Sequence, residues 1–270
     1  MNRATEAKGK TEEAKSKETE TLSNYEDVLE EYANPEIKLM KLIVNSGDSM
    51  EVTLPIKPNS ENNYTIDWGD GTKEKVDPME YATHTYSSAR TEYTVTIDGT
   101  VKEIDEYNGG NLLSSDSIVK VAQWGELGLT KVNFYECYNL VEIASPTKNS
   151  FKDVTDFSYA FESTSITSIP ENLFANCPNV TDFSDAFGST SITSIPEKLF
   201  DNCMKVESFL ETFGWCEELK GLAIELWTRG SNNSSNDYQG TPDGEGCFSG
   251  CEQLENYEQI PSYWKEDRVS

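Results

Sequence analysis

VTDFSYAFESTSITSIPENLFANC at residues 154–177 is followed, 26 positions later, by VTDFSDAFGSTSITSIPEKLFDNC at residues 180–203. The apolar positions recur unchanged while polar positions vary, which is typical of stacked repeats that bury their faces on one another. Similar apolar spacing around Phe134 and around Phe248 predicts an opening and a closing coil. The sequence therefore predicts a solenoid of 26-residue coils, with SITSIP as a short parallel strand and ENLFANC as a helical turn.

The segment before the repeats alternates apolar and polar residues with the period of β-strands, in KLMKLIVNS, SMEVTLPIK, NYTIDWGDGT and EYTVTIDG. This pattern predicts a β-sandwich. Within it, Trp68 is expected in the core, Gly69 and Gly71 are expected to permit a tight turn, and Asp70 is expected to accept hydrogen bonds from turn amides.

The first residues of the chain are helix formers and charged residues with a single weak apolar stripe, which predicts a solvated helix. The predicted fold class is therefore mixed and mostly β. Its domains are a charged helix at 1–34, a β-sandwich at 35–110 and a repeat solenoid with terminal caps at 111–270.

The composition excludes some partners. The chain has 22 Lys and Arg against 48 Asp and Glu, a formal net charge of -26, so nucleic acid and anionic membrane surfaces would be repelled. No apolar run is long enough to span a membrane, and no signal-peptide segment is present in the sequence. The six cysteines are expected to be buried apolar side chains, since they lack the spacing and the histidine partners of a zinc site.

Two segments resemble known families. The order YTIDWGDGT, THTY and EYTVTIDG is similar to the PKD-like, immunoglobulin-type sandwich, and the QWG of residues 123–125, FYECYNL of 134–140 and the paired VTDFSxAF units resemble BspA-like leucine-rich repeat proteins. The resemblance implies a bacterial surface protein that is extracellular and displayed on the cell envelope.

A third resemblance concerns the start of the chain. NRATEAKGKTEEAKSKE is similar to the stretch that follows the membrane-spanning helix in type IV pilin-like prepilins. It implies a truncated pilin-like stem, so that the native full-length protein would be membrane-anchored and could join a pilus or envelope assembly through its native N-terminus.

Little in the sequence indicates catalysis. His84 is the only histidine, and we interpret it as structural because no nucleophile motif accompanies it. No phosphate-binding loop is present, and no cofactor is predicted. Asp67 and Asp70, which flank the WGDG turn, are weak calcium candidates, with a purely structural turn as the alternative.

The predicted function is a non-enzymatic cell-surface module for adhesion or ligand binding, with an extracellular protein or glycan as its partner. Its predicted binding face is the row of small hydroxyl side chains that recurs between the apolar positions, although these could instead tile a bend between coils. The row comprises Ser163, Thr164, Ser165, Thr167, Ser189, Thr190, Ser191 and Thr193.

Two other functions are compatible with the sequence. One is a minor pilin or pseudopilin subunit whose folded part decorates a filament. The second is a carbohydrate-active enzyme that uses a pair of carboxylates. The polar insertion at 228–246 is expected to be an exposed loop, serving either as a spacer or as a contact surface.

Overall fold

A computed structural model describes residues 35–108, 111–112, 116–229 and 242–266, together with Lys17. The predicted N-terminal helix at 1–34 lies outside these residues apart from Lys17, and so does most of the insertion at 228–246. The chain divides into two compact units, Met1–Lys38 and Leu39–Ser270. In the first, the description is confined to Lys17 and a short 3-10 helix at Pro35–Lys38.

The regular elements of the second unit are mostly short strands. They are β1 Met40–Asn45, β2 Glu51–Thr53, β3 Asn63–Asp67, β4 Lys73–Lys75, β5 Thr83–Thr85, β6 Glu92–Thr100, β7 Glu103–Asp105, β8 Tyr107–Asn108, β9 Asn111–Leu112, β10 Ile118–Gln123, β11 Lys131–Asn133 and β12 Glu142–Ile143. Two 3-10 helices, Leu226–Thr228 and Tyr257–Gln259, and one short α-helix, α1 Ser262–Lys265, complete the described elements.

A six-stranded sheet in the order β12-β10-β1-β6-β3-β4 forms the largest regular structure. Its central strand β1 pairs antiparallel with both β6 and β10, and its side chains alternate between buried and half-buried positions. β10 and β12 come from the far side of residue 110, so the sheet is built from both sides of the predicted domain boundary. Three two-stranded sheets, β2-β5, β7-β11 and β8-β9, accompany it.

The WGDGT turn between β3 and β4 behaves as the sequence predicts. Trp68 is fully buried, and Asp70 Oδ1 accepts a hydrogen bond from Thr72 N at 2.9 Å. Gly69 has a φ of +82°, and a Cβ at this position would lie 2.5 Å from the backbone oxygen of Thr94. Glycine is therefore required at residue 69 for both conformation and space.

The predicted solenoid is wrong. Among the described residues of the repeats there is no solenoid sheet. Strand-like pairing is limited to isolated parallel bridges: Asp156 pairs with Asp182 of the next unit, and Asp182 pairs with Ser208 of the one after it. SITSIP forms no strand in either unit, and ENLFANC and EKLFDNC form turns without a helix. The predicted strand and helical turn of each coil are therefore both absent.

Left-handed backbone conformations explain why extended strands do not form in the repeats. Tyr159 and Ser163 have positive φ, and their equivalents Asp185 and Ser189 have it too. Tyr159, Ser163 and Asp185 are each the third residue of a tight turn, for example the one closed by the bond from Ala160 N to the Phe157 carbonyl. An extended run is thus broken every few residues, and single-residue bridges are all that the geometry permits.

The repeats nevertheless pack in register. From Phe157 onward, alternate backbone N–H groups donate to carbonyls of the next unit at 2.6–3.0 Å. The phenylalanine rings stack in two columns with centroids 5.5–5.8 Å apart, Phe157–Phe183–Phe209 and Phe161–Phe187–Phe213. All six of these rings are fully buried, which confirms the apolar positions predicted from the repeat.

Candidate functional site

A cleft of about 400 Å³ opens where β7 and β11 meet the first repeat. Its volume lies in the range typical of small-molecule binding sites. We call it the tyrosine cleft, defined by its lining residues Asp105, Lys131, Asn133, Tyr135 and Tyr159.

The β7-β11 pairing places these side chains together. Along β11 the side chains alternate, so Val132 enters the core while Lys131 and Asn133 share the opposite face, and Tyr135 lies two residues further on. Asp105 is the partner of Asn133 in the parallel register. Strand geometry therefore brings a carboxylate, an ammonium and an amide to one wall of the cleft.

Asn133 is the polar group buried most deeply in this wall, with 3% of its surface exposed. Its Oδ1 accepts a hydrogen bond from Tyr135 N at 2.7 Å, which assigns the oxygen to that side of the amide. Within the described residues, Nδ2 has no hydrogen-bond partner. This nitrogen is open to the cleft, where either water or an acceptor on a bound molecule can take its hydrogen bond.

Lys131 supplies a positive charge to the cleft. Its Nζ lies 3.8 Å from Asp105 Oδ2 and 3.5 Å from Asp156 Oδ2, so it is shared between two carboxylates at the long end of ion-pair distance. About a quarter of its side chain is exposed, whereas Asp105 is buried to 6% exposure. Lys57 Nζ lies closer to Asp105 Oδ2, at 3.4 Å, so Asp105 is paired with two lysines. The Lys131 ammonium can therefore keep a hydrogen bond for a ligand.

Tyr135 and Tyr159 form the aromatic part of the cleft. Their rings meet edge to face, with centroids 6.0 Å apart. Tyr159 is 43% exposed and has a φ of +58°, an uncommon conformation for a bulky residue. A hydrogen bond with the Glu136 carboxylate, together with burial, raises the pKa of Tyr135 to about 12.

A group of carboxyls extends from the cleft across the repeats. Burial raises the pKa of Glu162 to about 8, and repulsion from Asp185, Glu136 and Glu211 adds to the effect. Glu162 Oε2 is buried and has no hydrogen-bond partner in the described part of the chain. Its side chain lies above Gly188 of the next unit, whose missing Cβ leaves room for it. The neighbouring carboxylates of Glu136, Asp185 and Glu211 make the surroundings negative, whereas Glu162 itself largely keeps its proton at neutral pH.

The predicted hydroxyl row separates into three groups. Thr164 and Thr190 are buried, and each Oγ1 donates to the carbonyl three residues earlier at 2.8 Å. Ser163 and Ser189 have positive φ and donate backbone N–H groups to the next unit. The exposed members are Ser165, Thr167, Ser191 and Thr193. Thr164 and Thr190 thus hold turns within their own units, and Ser163 and Ser189 join successive units. In the exposed group, Ser165 Oγ donates to the Tyr138 carbonyl at 2.6 Å.

The predicted calcium candidates hold the turn together instead of facing one another. Asp67 Oδ2 lies 2.8 Å from Lys73 Nζ, and Asp70 Oδ2 lies 2.8 Å from His84 Nε2. The bond with Lys73 lowers the pKa of Asp67, and the bond with His84 lowers the pKa of Asp70. The described residues contain no group of three or more side chains suited to a metal.

Other reactive side chains are engaged in packing. His84 stacks on the buried Trp68 with ring centroids 4.9 Å apart, so its ring is engaged in packing. All six cysteines are buried free thiols, and burial raises the pKa of each. A buried thiol of raised pKa is a poor nucleophile.

Sequence reasoning missed the tyrosine cleft. One signal was available, because Tyr159 is the first of four positions at which the two units differ, and Asp185 follows the same VTDFS in the second unit. The pairing of Asp105 with Asn133 joins residues 28 positions apart and leaves no local pattern.

Searches of protein families, of characterised proteins and of solved structures found no match to this chain. Among its described residues, no helix has the length and apolar character needed to cross a membrane.

Proposed function

We propose that this chain is a non-enzymatic ligand-binding module of a bacterial cell-surface protein, and that its ligand occupies the tyrosine cleft. The observation that carries the proposal is the cleft itself, in which two tyrosines face a buried amide donor. Large aromatic surfaces with a few convergent polar groups are typical of binding sites.

The geometry favours binding over catalysis. An acid–base or nucleophilic mechanism needs a nucleophile within hydrogen-bond reach of a base. In the cleft, Asp105 is paired with Lys57 and Lys131, and Asn133 is neither an acid nor a base at ordinary pH. The arrangement is suited to holding a ligand and offers no activated group to attack it.

Display at the cell surface rests on the sequence resemblances. The WGDGT and VTDFSxAF segments resemble parts of bacterial surface proteins, and adhesion is the role expected of such proteins. The net charge of -26 supports solubility and disfavours anionic partners.

The test uses the full chain on an array of extracellular matrix proteins, mucins and glycans. Binding should appear for the wild type and be lost in Tyr159→Asp. This variant is expected to fold, because Asp185 occupies the equivalent position with a φ of +54°. Aspartate is also better tolerated than tyrosine at positive φ.

A matched variant tests the surface predicted from sequence. Thr167→Asp with Thr193→Asp changes two exposed positions of the hydroxyl row and leaves the cleft intact. Binding that survives in this variant and disappears in Tyr159→Asp supports the cleft. Loss only in the Thr167 and Thr193 variant, or no binding to any partner on the array, contradicts the proposal.

A further inference from the structure

We infer that the tyrosine cleft binds an uncharged saccharide, through hydrogen bonds from Asn133 and Lys131 and packing on Tyr159. The inference rests on the proposed function, to which it adds a class of ligand. It depends on the side chains that the cleft brings together and on the charge around it.

The polar groups of the cleft are mixed in kind. Asn133 Nδ2 and Lys131 Nζ are donors, and the Asp105 carboxylate is an acceptor. Neighbouring hydroxyls on a sugar ring both donate and accept, so one ring can pair with donors and with a carboxylate at the same time. A purely apolar ligand would leave the buried Asn133 amide without a partner, at a cost in binding free energy.

Strand geometry sets the spacing of these groups. Lys131 and Asn133 are two residues apart on β11, which separates their Cα atoms by about 7 Å. Asp105 lies opposite Asn133 on β7, at a strand separation of about 5 Å. The three groups form a rigid triangle whose sides suit the hydroxyls of one or two adjacent rings, and they are held on strands rather than on a loop.

The tyrosines supply the apolar contact. A sugar ring has one face composed mainly of C–H groups, and these pack on an aromatic ring while the hydroxyls point outward. Tyr159 is exposed enough to offer such a surface, and its edge-to-face contact with Tyr135 restricts its motion. Little conformational entropy is then lost on binding.

The surrounding charge selects against acidic saccharides. The Glu136 carboxylate lies beside Tyr135, and the Asp185 carboxylate lies beside Tyr159. Glu162 also lies there, but with a pKa of about 8 it adds little charge at neutral pH. Lys131 is already shared between Asp105 and Asp156. A uronic or sialic acid would bring a further negative charge into this field, where the charge of Lys131 is already offset by two carboxylates.

The experiment titrates the full chain with a panel of neutral oligosaccharides and with counterparts in which a terminal hexose is replaced by a uronic acid, using calorimetry at low and at physiological salt. At least one neutral oligosaccharide should bind, and its acidic counterpart should bind about tenfold or more weakly, with a difference that narrows as salt is added. Equal or tighter binding of the acidic member overturns the inference.

Two variants locate the site. Asn133→Asp keeps the oxygen that accepts from Tyr135 N and removes the Nδ2 donor, and it should weaken binding by about tenfold or more. Tyr159→Asp should weaken it at least as much, whereas Met204→Ala, at a side chain 80% exposed elsewhere, should change nothing. Thermal melts check that each variant is folded. Unchanged saccharide affinity in folded Tyr159→Asp overturns the inference.

The outcomes separate this inference from the proposed function. If a protein or cationic peptide binds in a Tyr159-dependent manner and no neutral saccharide binds, the cleft remains the binding site but the inference of a saccharide ligand is overturned. Absence of any Tyr159-dependent ligand overturns both.

Discussion

The sheet strands at residues 40–123 and the repeats at 131–264 form their backbone hydrogen bonds in different ways. In the sheet, β1 pairs with β6 over six consecutive residues. In the repeats, single bridges alternate with turns, and residues such as Tyr159 and Ser163 adopt left-handed conformations between them. Continuous pairing spreads stability over many equivalent bonds, whereas interrupted pairing makes stability depend on the side chains that stack between units.

The two regions also differ in their cores. The sheet buries small alternating residues such as Leu42, Val95 and Ile97. The repeats bury columns of phenylalanine in which each ring touches its equivalents in both neighbouring units. In the repeats, the stabilisation from hydrophobic burial is therefore concentrated in a small number of large side chains.

The largest expected effect is at the centre of a phenylalanine column. Phe183→Ala removes a fully buried ring that contacts Phe157, Phe174, Phe200 and Phe209. We expect a loss of about 3–5 kcal/mol in the free energy of unfolding, measured by chemical denaturation. The control is the exposed Met204→Ala. A loss below that of Ile97→Ala in the sheet would break the comparison.

A steric test sharpens the comparison from the side of the sheet. Gly69→Ala places a Cβ against the Thr94 carbonyl and adds the strain of a positive φ, which should cost about 2–4 kcal/mol. Gly71→Ala has the same strain with open space around it, and should cost about 1 kcal/mol. Equal losses in the two variants would show that contact with β6 contributes nothing.

A smaller effect is expected for the buried hydroxyls of the repeats. Thr190→Val keeps the shape of the side chain and removes the hydrogen bond from Oγ1 to the Phe187 carbonyl. We expect a loss of about 1–2 kcal/mol in thermal denaturation, while Thr193→Val at an exposed position should be nearly neutral. If both variants are neutral, the interrupted backbone does not depend on these bonds.

The smallest effect is a dependence on pH. The pKa of Glu162 is raised in the folded state, so the folded chain holds this proton more tightly than the unfolded chain. The associated stability is fully present below about pH 4.5, decreases as the pH rises, and is lost at about pH 8. Glu162→Gln should flatten this part of the profile and add about 1 kcal/mol near pH 8.

The control for the pH profile is Glu197→Gln, which removes an exposed carboxyl from the following unit. Denaturation midpoints for the wild type and the two variants are compared from pH 4 to pH 9. An unchanged slope in Glu162→Gln would contradict the assignment of the buried carboxyl.

Parts of this molecule could be predicted from sequence for clear physical reasons. The WGDGT turn is determined by local interactions. Glycine at residue 69 permits the positive φ, and the carboxylate at residue 70 accepts a hydrogen bond from an amide two residues later. The 26-residue period identified the buried phenylalanines because apolar positions recur with the spacing of the contacts.

The solenoid and the cleft could not be derived in the same way. Tyrosine and serine are not residue types that favour a positive φ, so the local sequence around Tyr159 and Ser163 did not indicate that extended strands would be interrupted. The tyrosine cleft requires β7 to meet β11, a pairing between segments that the predicted boundary at residue 110 had assigned to separate domains. The periodicity of apolar residues does not indicate which distant strands pair, or in which register.

The left-handed position after VTDFS has a wider consequence. In successive units it is filled by Tyr159, Asp185, Glu211 and Gly246, whose backbones all keep a positive φ. The side chain there can be exchanged while the ring columns behind it stay the same. Duplication of a unit, followed by a substitution at this position, would then change the exposed surface while leaving the buried core intact. The ligand preference of the repeats could therefore change without a change in their architecture.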